Sequence, residues 1–152
     1  MDQILLDAWE RFLADTGRSM ETPCYECFHF CDTEAAANAL LALVLSGKKT
    51  ATTSCKACYE AANEPLPRKG DLSLVTDFSA TPGCVIQTTA VTVLPFCEMT
   101  YEICRREGED AVLATWQETH RRFFTQECAS LGLAFDERMD VVFEDFVVVY
   151  RF

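Results

Sequence analysis

Gly47-Lys48-Lys49-Thr50-Ala51-Thr52-Thr53-Ser54 is the stretch at which an apolar helical pattern changes into a strand. The preceding residues Ala35–Leu45 predict a helix, which Asp32 or Thr33 can cap at its start. The glycine is well placed to end that helix in a left-handed conformation. The β-branched residues that follow are typical of a strand. This junction therefore organises the fold and gathers amines and hydroxyls in one place.

The elements on either side of the junction indicate the fold class. Prolines make residues 18–31 and 64–71 irregular connections. Hydrophobic periodicity predicts helices over 3–16, 98–107 and 111–131, and strands over 71–78, 84–94 and 139–150. No βαβ unit repeats. This order predicts one α+β domain over residues 1–152, with a mostly antiparallel, curled sheet.

The charge of the chain restricts its ligands. With 24 acidic and 13 basic residues, the net charge is −11, so the surface as a whole repels polyanions. This charge favours a small ligand over a long nucleic-acid duplex, but it does not exclude single-stranded RNA. A local basic patch is conceivable around Lys48, Lys49, Lys56, Arg68 and Lys69.

The apolar runs are too short for a membrane protein. None reaches the roughly 18 residues that a spanning helix needs. The first residues lack a basic region ahead of an apolar one, and therefore do not resemble a signal peptide. We expect a cytoplasmic protein without membrane association.

Nine cysteines are present, an odd number that argues against a disulfide scaffold. Cys24-x-x-Cys27 and Cys55-x-x-Cys58 have the spacing of zinc ligands, but a whole predicted helix separates the two pairs. Buried free thiols are the favoured interpretation, and we expect neither metal nor cofactor.

Lys49 and Thr52 offer the parts of a nucleophile and its base. A threonine hydroxyl attacks a carbonyl only if a neighbour accepts its proton, which a lysine without its own proton can do. On a regular strand, however, these two side chains lie on opposite faces. They converge only if the turn after Gly47 breaks the alternation. The alternative is a solvated lysine pair that ends a helix, followed by an ordinary strand.

Two further residues are candidates for proton transfer. Glu107 ends a predicted helix just before Gly108, where a carboxylate can act as acid or base, although such charge runs are often solvated turns. His120 shares a helical face with Trp116 and Phe124, a pattern more typical of a hydrogen-bonded residue at the edge of a core.

An ordered set of motifs resembles the ASCH domain family. It comprises Gly47-x-Lys49-x-x-Thr52, Tyr59-Glu60, Glu64-Pro65-Leu66-Pro67-x-x-Gly70-Asp71, Arg106-Glu107-Gly108-Glu109 and Trp116-x-x-x-His120-x-x-Phe123-Phe124. The resemblance covers residues 28–150 and leaves the N-terminal helix, residues 1–17, outside. It implies a PUA-like fold, a small β-barrel with packed helices, and ligands of nucleoside or RNA type. One departure is Ser54, where the family signature has an arginine; Lys48, Lys56 or Arg68 are possible substitutes.

The resemblance also implies an activity. Some small members remove the acyl group from N4-acetylcytidine with a lysine, a threonine and a glutamate, which by motif position are Lys49, Thr52 and Glu107. We predict an amidohydrolase of this type. The alternatives are a non-catalytic RNA- or nucleotide-binding module and a ribonuclease that uses the same cleft. The protein is also a possible homodimer. The predicted substrate-binding residues are Thr50, Thr53, Ser54, Tyr59, Arg68, Trp116 and His120.

Overall fold

A five-stranded sheet carries five helices in residues 2–152, the part of the chain that this computed structural model describes. The helices are α1 Gln3–Thr16, α2 Glu34–Leu45, α3 Lys56–Ala62, α4 Tyr101–Cys104 and α5 Leu113–Ser130. The strands are β1 Glu26–Phe28, β2 Ala51–Cys55, β3 Leu72–Thr76, β4 Pro82–Pro95 and β5 Asp140–Arg151. Single 3-10 turns, Phe96–Glu98 and Arg105–Glu107, flank α4.

The strands follow the order β1-β3-β4-β5-β2. β1 pairs with β3 in parallel, and the other three pairings are antiparallel. The long pairing of β4 with β5 shifts register twice, between Val85 and Ile86 and between Thr88 and Ala90. Such irregularities bend a strand and increase its twist. The sheet accordingly curls into a half-barrel, which confirms the predicted α+β, mostly antiparallel architecture.

Helix α1 is confirmed and packs tightly on the sheet. The Asp2 side chain accepts a hydrogen bond from the Leu5 amide, and Gly17 ends the helix with a φ of 66°. Its apolar face forms one core cluster with β3 and β4, made of Leu5, Trp9, Phe12, Leu13, Leu72, Leu74 and Val85. The segment outside the motif set is therefore an integral part of the core.

The junction that decides the fold is built as predicted. The Thr33 side chain caps α2, and Gly47 adopts a φ of 78°. The amides of Lys48 and Lys49 then both donate to the Leu43 carbonyl at 3.0 Å, which turns the chain out of the helix. Along β2 the side chains alternate between buried and half-buried positions.

Two predictions of local structure were wrong, and one helix was missed. Residues 18–31 are not wholly irregular, because β1 lies within them and pairs with β3. Helix α3, which directly follows β2, was not anticipated. Instead of one helix over 98–107 there is the single turn α4 between two 3-10 turns, since Met99 and Thr100 are extended and delay the start of the helix to Tyr101.

None of the helices in residues 2–152 is long and apolar enough to cross a membrane.

Candidate active site

Two connected cavities lie between the edges of the curled sheet. The larger, of about 400 Å³, is lined by β1, β2, α3 and α5 and is called the wide cleft. The smaller, of about 120 Å³, is called the inner cavity. They share the lining residues Phe30, Cys31, Thr52, Thr53 and Phe123. A ligand can therefore occupy both.

A buried carboxylate lies at the wall of the inner cavity. Glu107 is only 1% exposed. It accepts hydrogen bonds from Thr53 Oγ1 at 2.7 Å and Trp116 Nε1 at 2.6 Å, and its Oε2 lies 3.2 Å from His120 Nε2. Burial disfavours its charge, but the bond from His120 and the nearby charge of Lys49 outweigh that cost and lower its pKa. Glu107 therefore accepts from two donors and is in hydrogen-bond contact with the His120 ring.

The backbone around Glu107 is fixed by a close contact. Gly108 has a φ of 72°, and a Cβ on it would overlap the carbonyl of Lys48. The Thr50 amide donates to the Arg106 carbonyl at 2.9 Å, which ties this turn to the start of β2. The glycine after Glu107 is therefore required both for its left-handed conformation and for the space it leaves.

Lys49 is the basic residue of the inner cavity. Its side chain is 2% exposed, and its Nζ lies 2.6 Å from Glu109 Oε2 and 5.2 Å from the centre of the Phe30 ring. The Glu109 side chain is 25% exposed, so it is the partner that solvent and a ligand can reach. A buried cation needs such compensation, because an unpaired charge is costly to bury.

His120 connects Glu107 to helix α5. Its ring stacks on that of Trp116, with centres 4.1 Å apart, and its Nδ1 lies 2.9 Å from the Trp116 carbonyl oxygen. Burial disfavours its charge, but the bond to Glu107 and the negative charge there raise its pKa above the ordinary 6.5.

The wide cleft is acidic. Glu26, Glu64, Glu127 and Glu144 line it, and of the described residues none that lines it is a lysine or arginine. Glu144 is 9% exposed and accepts a hydrogen bond from Thr88, but burial raises its pKa. This part of the site disfavours anionic groups.

A family model described as ASCH domain matches residues 26–150. The chain belongs to the ASCH domain family. It is 34% identical to a crystal structure of an ASCH domain from Lactobacillus crispatus JV V101, with a TM-score of 0.89 over 99% of this chain and 97% of that one. A structure from Enterococcus faecalis V583, of family-model DUF984, is 33% identical, with a TM-score of 0.87 over 94% and 86% of the two chains.

A third structure shows the fold alone. It belongs to a hypothetical protein with 14% identity and a TM-score of 0.52, over 82% of this chain and 96% of that one. No functionally curated protein matches the chain.

Most of the predicted site residues of this ASCH domain lie at the two cavities. Lys49, Thr52, Thr53, Glu107 and His120 line the inner cavity. Thr52, Thr53, Ser54 and Tyr59 line the wide cleft. The turn after Gly47 thus brings Lys49 and Thr52 to the wall of one cavity despite their opposite strand parity.

Three predicted ligand contacts lie elsewhere. Trp116 is fully buried behind Glu107, stacked between Phe96 and His120, and therefore has no face for a nucleobase. Thr50 Oγ1 donates to the Arg106 carbonyl at 3.1 Å. Arg68 is exposed in the loop before β3 and lines neither cavity.

None of the three basic residues considered as substitutes for the signature arginine lines the site. Ser54 lines the wide cleft, whereas Lys48, Lys56 and Arg68 do not line either cavity. Lys56 pairs instead with Glu60 at 2.9 Å. Lys48, Lys56 and Arg68 therefore do not form a basic patch at either cavity.

Several acidic residues of the site were not predicted. Glu109 pairs with Lys49, while Glu26 and Glu144 face the wide cleft. A signal existed for Glu144, because it interrupts the apolar run of β5. Glu26 lies in a three-residue strand with no visible pattern.

The cysteines occupy separate parts of the core. Cys24 and Cys27 pack beside α1, whereas Cys55 lies under α5 with its sulfur 3.9 Å from that of Cys128. All nine thiols are free. In residues 2–152, no group of three or more His, Cys, Asp or Glu side chains is placed to hold a metal ion.

Proposed function

We propose that this ASCH domain is an amidohydrolase that removes the acyl group from an N4-acylated cytidine or a similar nucleoside. The observation that carries the proposal is the buried carboxyl group of Glu107, in contact with Thr53, Trp116 and His120 at the wall of a cavity that Lys49 and Thr52 also line. A buried carboxylate, an amine and a free hydroxyl in one enclosed site are the parts that amide hydrolysis needs.

Thr52 is the better nucleophile of the two adjacent threonines. Thr53 is 8% exposed, and its hydroxyl proton is directed to Glu107. Thr52 is half-buried and lies where the two cavities join. A substrate amide in the inner cavity therefore meets the hydroxyl of Thr52, while Thr53 holds Glu107 in place.

Thr52, Lys49, Glu107 and one water molecule supply the groups for every step of the hydrolysis. The Thr52 oxygen forms a bond to the amide carbon, and its proton passes to the Lys49 amine. When the carbon–nitrogen bond breaks, Glu107 relays that proton to the leaving amine. Water then hydrolyses the acyl-threonine ester and restores the site.

The Lys49–Glu109 ion pair has to open before this reaction begins. A lysine that donates a proton to a carboxylate at 2.6 Å cannot accept one from Thr52. Glu109 lies next to Gly108 and is partly exposed, so a ligand that enters the inner cavity can displace it. The displaced Glu109 carboxyl group takes the Lys49 proton with it to solvent, so ligand entry leaves Lys49 as a neutral amine that can accept the Thr52 proton.

The acidic wide cleft supports a free nucleoside over RNA. Each phosphate brought into it meets the carboxyl groups of Glu26, Glu64 and Glu144, and among the described residues no lysine or arginine lines the cleft to offset them. Neutral sugar hydroxyls, in contrast, can donate hydrogen bonds to carboxylates. The RNA-binding and ribonuclease alternatives lack a favourable observation of this kind.

One assay panel tests the proposal. Purified protein receives N4-acetylcytidine, its 5′-monophosphate and short single-stranded RNAs, beside the variants Lys49→Met, Thr52→Val and Glu107→Gln. We expect hydrolysis of the nucleoside, weaker hydrolysis of the phosphate, and loss in all three variants. Thr50→Val is the matched control, since the Thr50 hydroxyl is occupied outside the cavities. Salt-sensitive retention of RNA without hydrolysis of any amide would refute it.

A further inference from the structure

The hydrogen bonds around His120 fix where its protons are. Nδ1 lies 2.9 Å from the Trp116 carbonyl oxygen, which can only accept, so Nδ1 carries a proton. Nε2 lies 3.2 Å from Glu107 Oε2, which is also an acceptor when ionised. A contact between two acceptors needs a proton between them. The pair therefore holds one proton that belongs either to His120 or to Glu107.

The surroundings of the pair place that proton on the ring. Glu107 also accepts from the Thr53 hydroxyl and the Trp116 indole, and donors of this kind favour the ionised carboxylate. The imidazole lies flat on the Trp116 ring, at an interplanar angle of 18°, where a cation is stabilised by the aromatic face. Both contacts favour an imidazolium beside a carboxylate.

We propose that His120 is a doubly protonated positioning residue that keeps Glu107 ionised and aligned for proton relay. This role rests on the proposed hydrolase site and adds a residue outside its lysine, threonine and glutamate. His120 lines the inner cavity and is 13% exposed, so its protonation responds to solvent pH while Glu107 stays enclosed. The active form is therefore lost when His120 gives up its second proton.

The other ionisable groups around the pair are few. Glu107 lies on the turn after α4, and Glu109 follows it. Lys49 comes from the turn between α2 and β2, and Cys31 from the loop before α2. Glu109 favours the imidazolium, whereas Lys49 is paired with Glu109. The carboxylate of Glu107 is thus the dominant influence on His120.

NMR tests the proposal without any turnover, because the chain has only two histidines. Ring nitrogen and carbon shifts of His120 and His29 are followed from pH 5 to pH 9, with His29→Gln to assign the signals. We expect the His120 imidazolium to persist to higher pH than that of the exposed His29, and Glu107→Gln to lower its midpoint. A neutral His120 ring at pH 6 would overturn the proposal, as would a midpoint at or below that of His29.

Kinetics supply the second test. If N4-acetylcytidine is hydrolysed, His120→Gln is expected to lower kcat/KM about tenfold, the factor of one charged hydrogen bond, and to remove the alkaline limb of the pH profile. The Glu118→Gln control changes an exposed residue of the same helix that lines neither cavity, and it keeps both. An unchanged alkaline limb in His120→Gln would contradict the proposal. Absence of hydrolysis in the wild type would instead contradict the proposed function and leave the NMR result decisive for His120.

Discussion

Replacement of Glu107 by glutamine tests whether the buried carboxylate organises this region. The side chain keeps its shape, so the packing around it changes little. The charge, however, is removed from a group that accepts from Thr53, Trp116 and His120. Charged hydrogen bonds contribute roughly 1.5–3 kcal/mol and neutral ones roughly 0.5–1.5 kcal/mol. Three such bonds would lose about 3 kcal/mol, part of which is offset because a neutral amide costs less to bury.

We therefore expect Glu107→Gln to lower the free energy of unfolding by about 2 kcal/mol, which for a domain of this size lowers Tm by about 4–8 °C. Urea unfolding at pH 6, followed by far-UV circular dichroism and tryptophan fluorescence, measures the change, and the denaturant slope should stay constant. Glu118→Gln is the matched control, because Glu118 is exposed on the same helix as Trp116. A loss of unfolding free energy below about 0.5 kcal/mol, within the range of ordinary surface substitutions, would show that the Glu107 carboxylate does not organise this region.

Gly108, the Glu107–His120 pair and the cysteines each allow a further test. Gly108→Ala should destabilise the fold by about 2 kcal/mol or more in urea unfolding, since left-handed strain adds to an overlap with the Lys48 carbonyl; a neutral effect would contradict that packing. Because the Glu107 pKa is lowered from 4.5, its contribution to stability is present above pH 4.5 and fades as pH falls through the native value. Because the His120 pKa is raised from 6.5, its contribution to stability is full below pH 6.5 and fades as pH rises through the native value. The free energy of unfolding, measured from pH 4 to pH 8, should therefore pass through a maximum within this range, and Glu107→Gln should flatten that maximum. Thiol titration of the native protein should modify the exposed Cys97 first, and equally fast reaction of the buried thiols would contradict the packing.

Much of the fold follows from local pattern. The helix that ends at Gly47 and the strand after it are visible because capping, an apolar face and β-branched residues agree over the same few positions. Strand β1 is not visible, because three residues carry no periodicity and its pairing with β3 depends on distant sequence. The sequence around α4 predicts one helix, but Met99 and Thr100 are extended, which no local pattern indicates.

The site could be located from the sequence but not assembled. The motif positions place Lys49, Thr52 and Glu107 together, and all three line the inner cavity. Strand parity places Lys49 on the face of Thr53, which bonds to Glu107, but the turn after Gly47 brings Thr52 to the lining of the same cavity. The roles of Trp116 as a donor and Glu109 as an ion-pair partner depend on side-chain directions that spacing does not determine.

In the proposed function, Lys49, Thr52 and Glu107 form an amide-hydrolysing site. Its most direct test is the release of cytidine from N4-acetylcytidine by purified protein, followed by chromatography, in wild type and in Thr52→Val. We predict turnover by the wild type, and a rate for the variant at least about a hundredfold lower, as expected when a nucleophile is removed. Turnover that persists unchanged in Thr52→Val would contradict the account, as would a wild-type protein that binds the nucleoside but never releases cytidine.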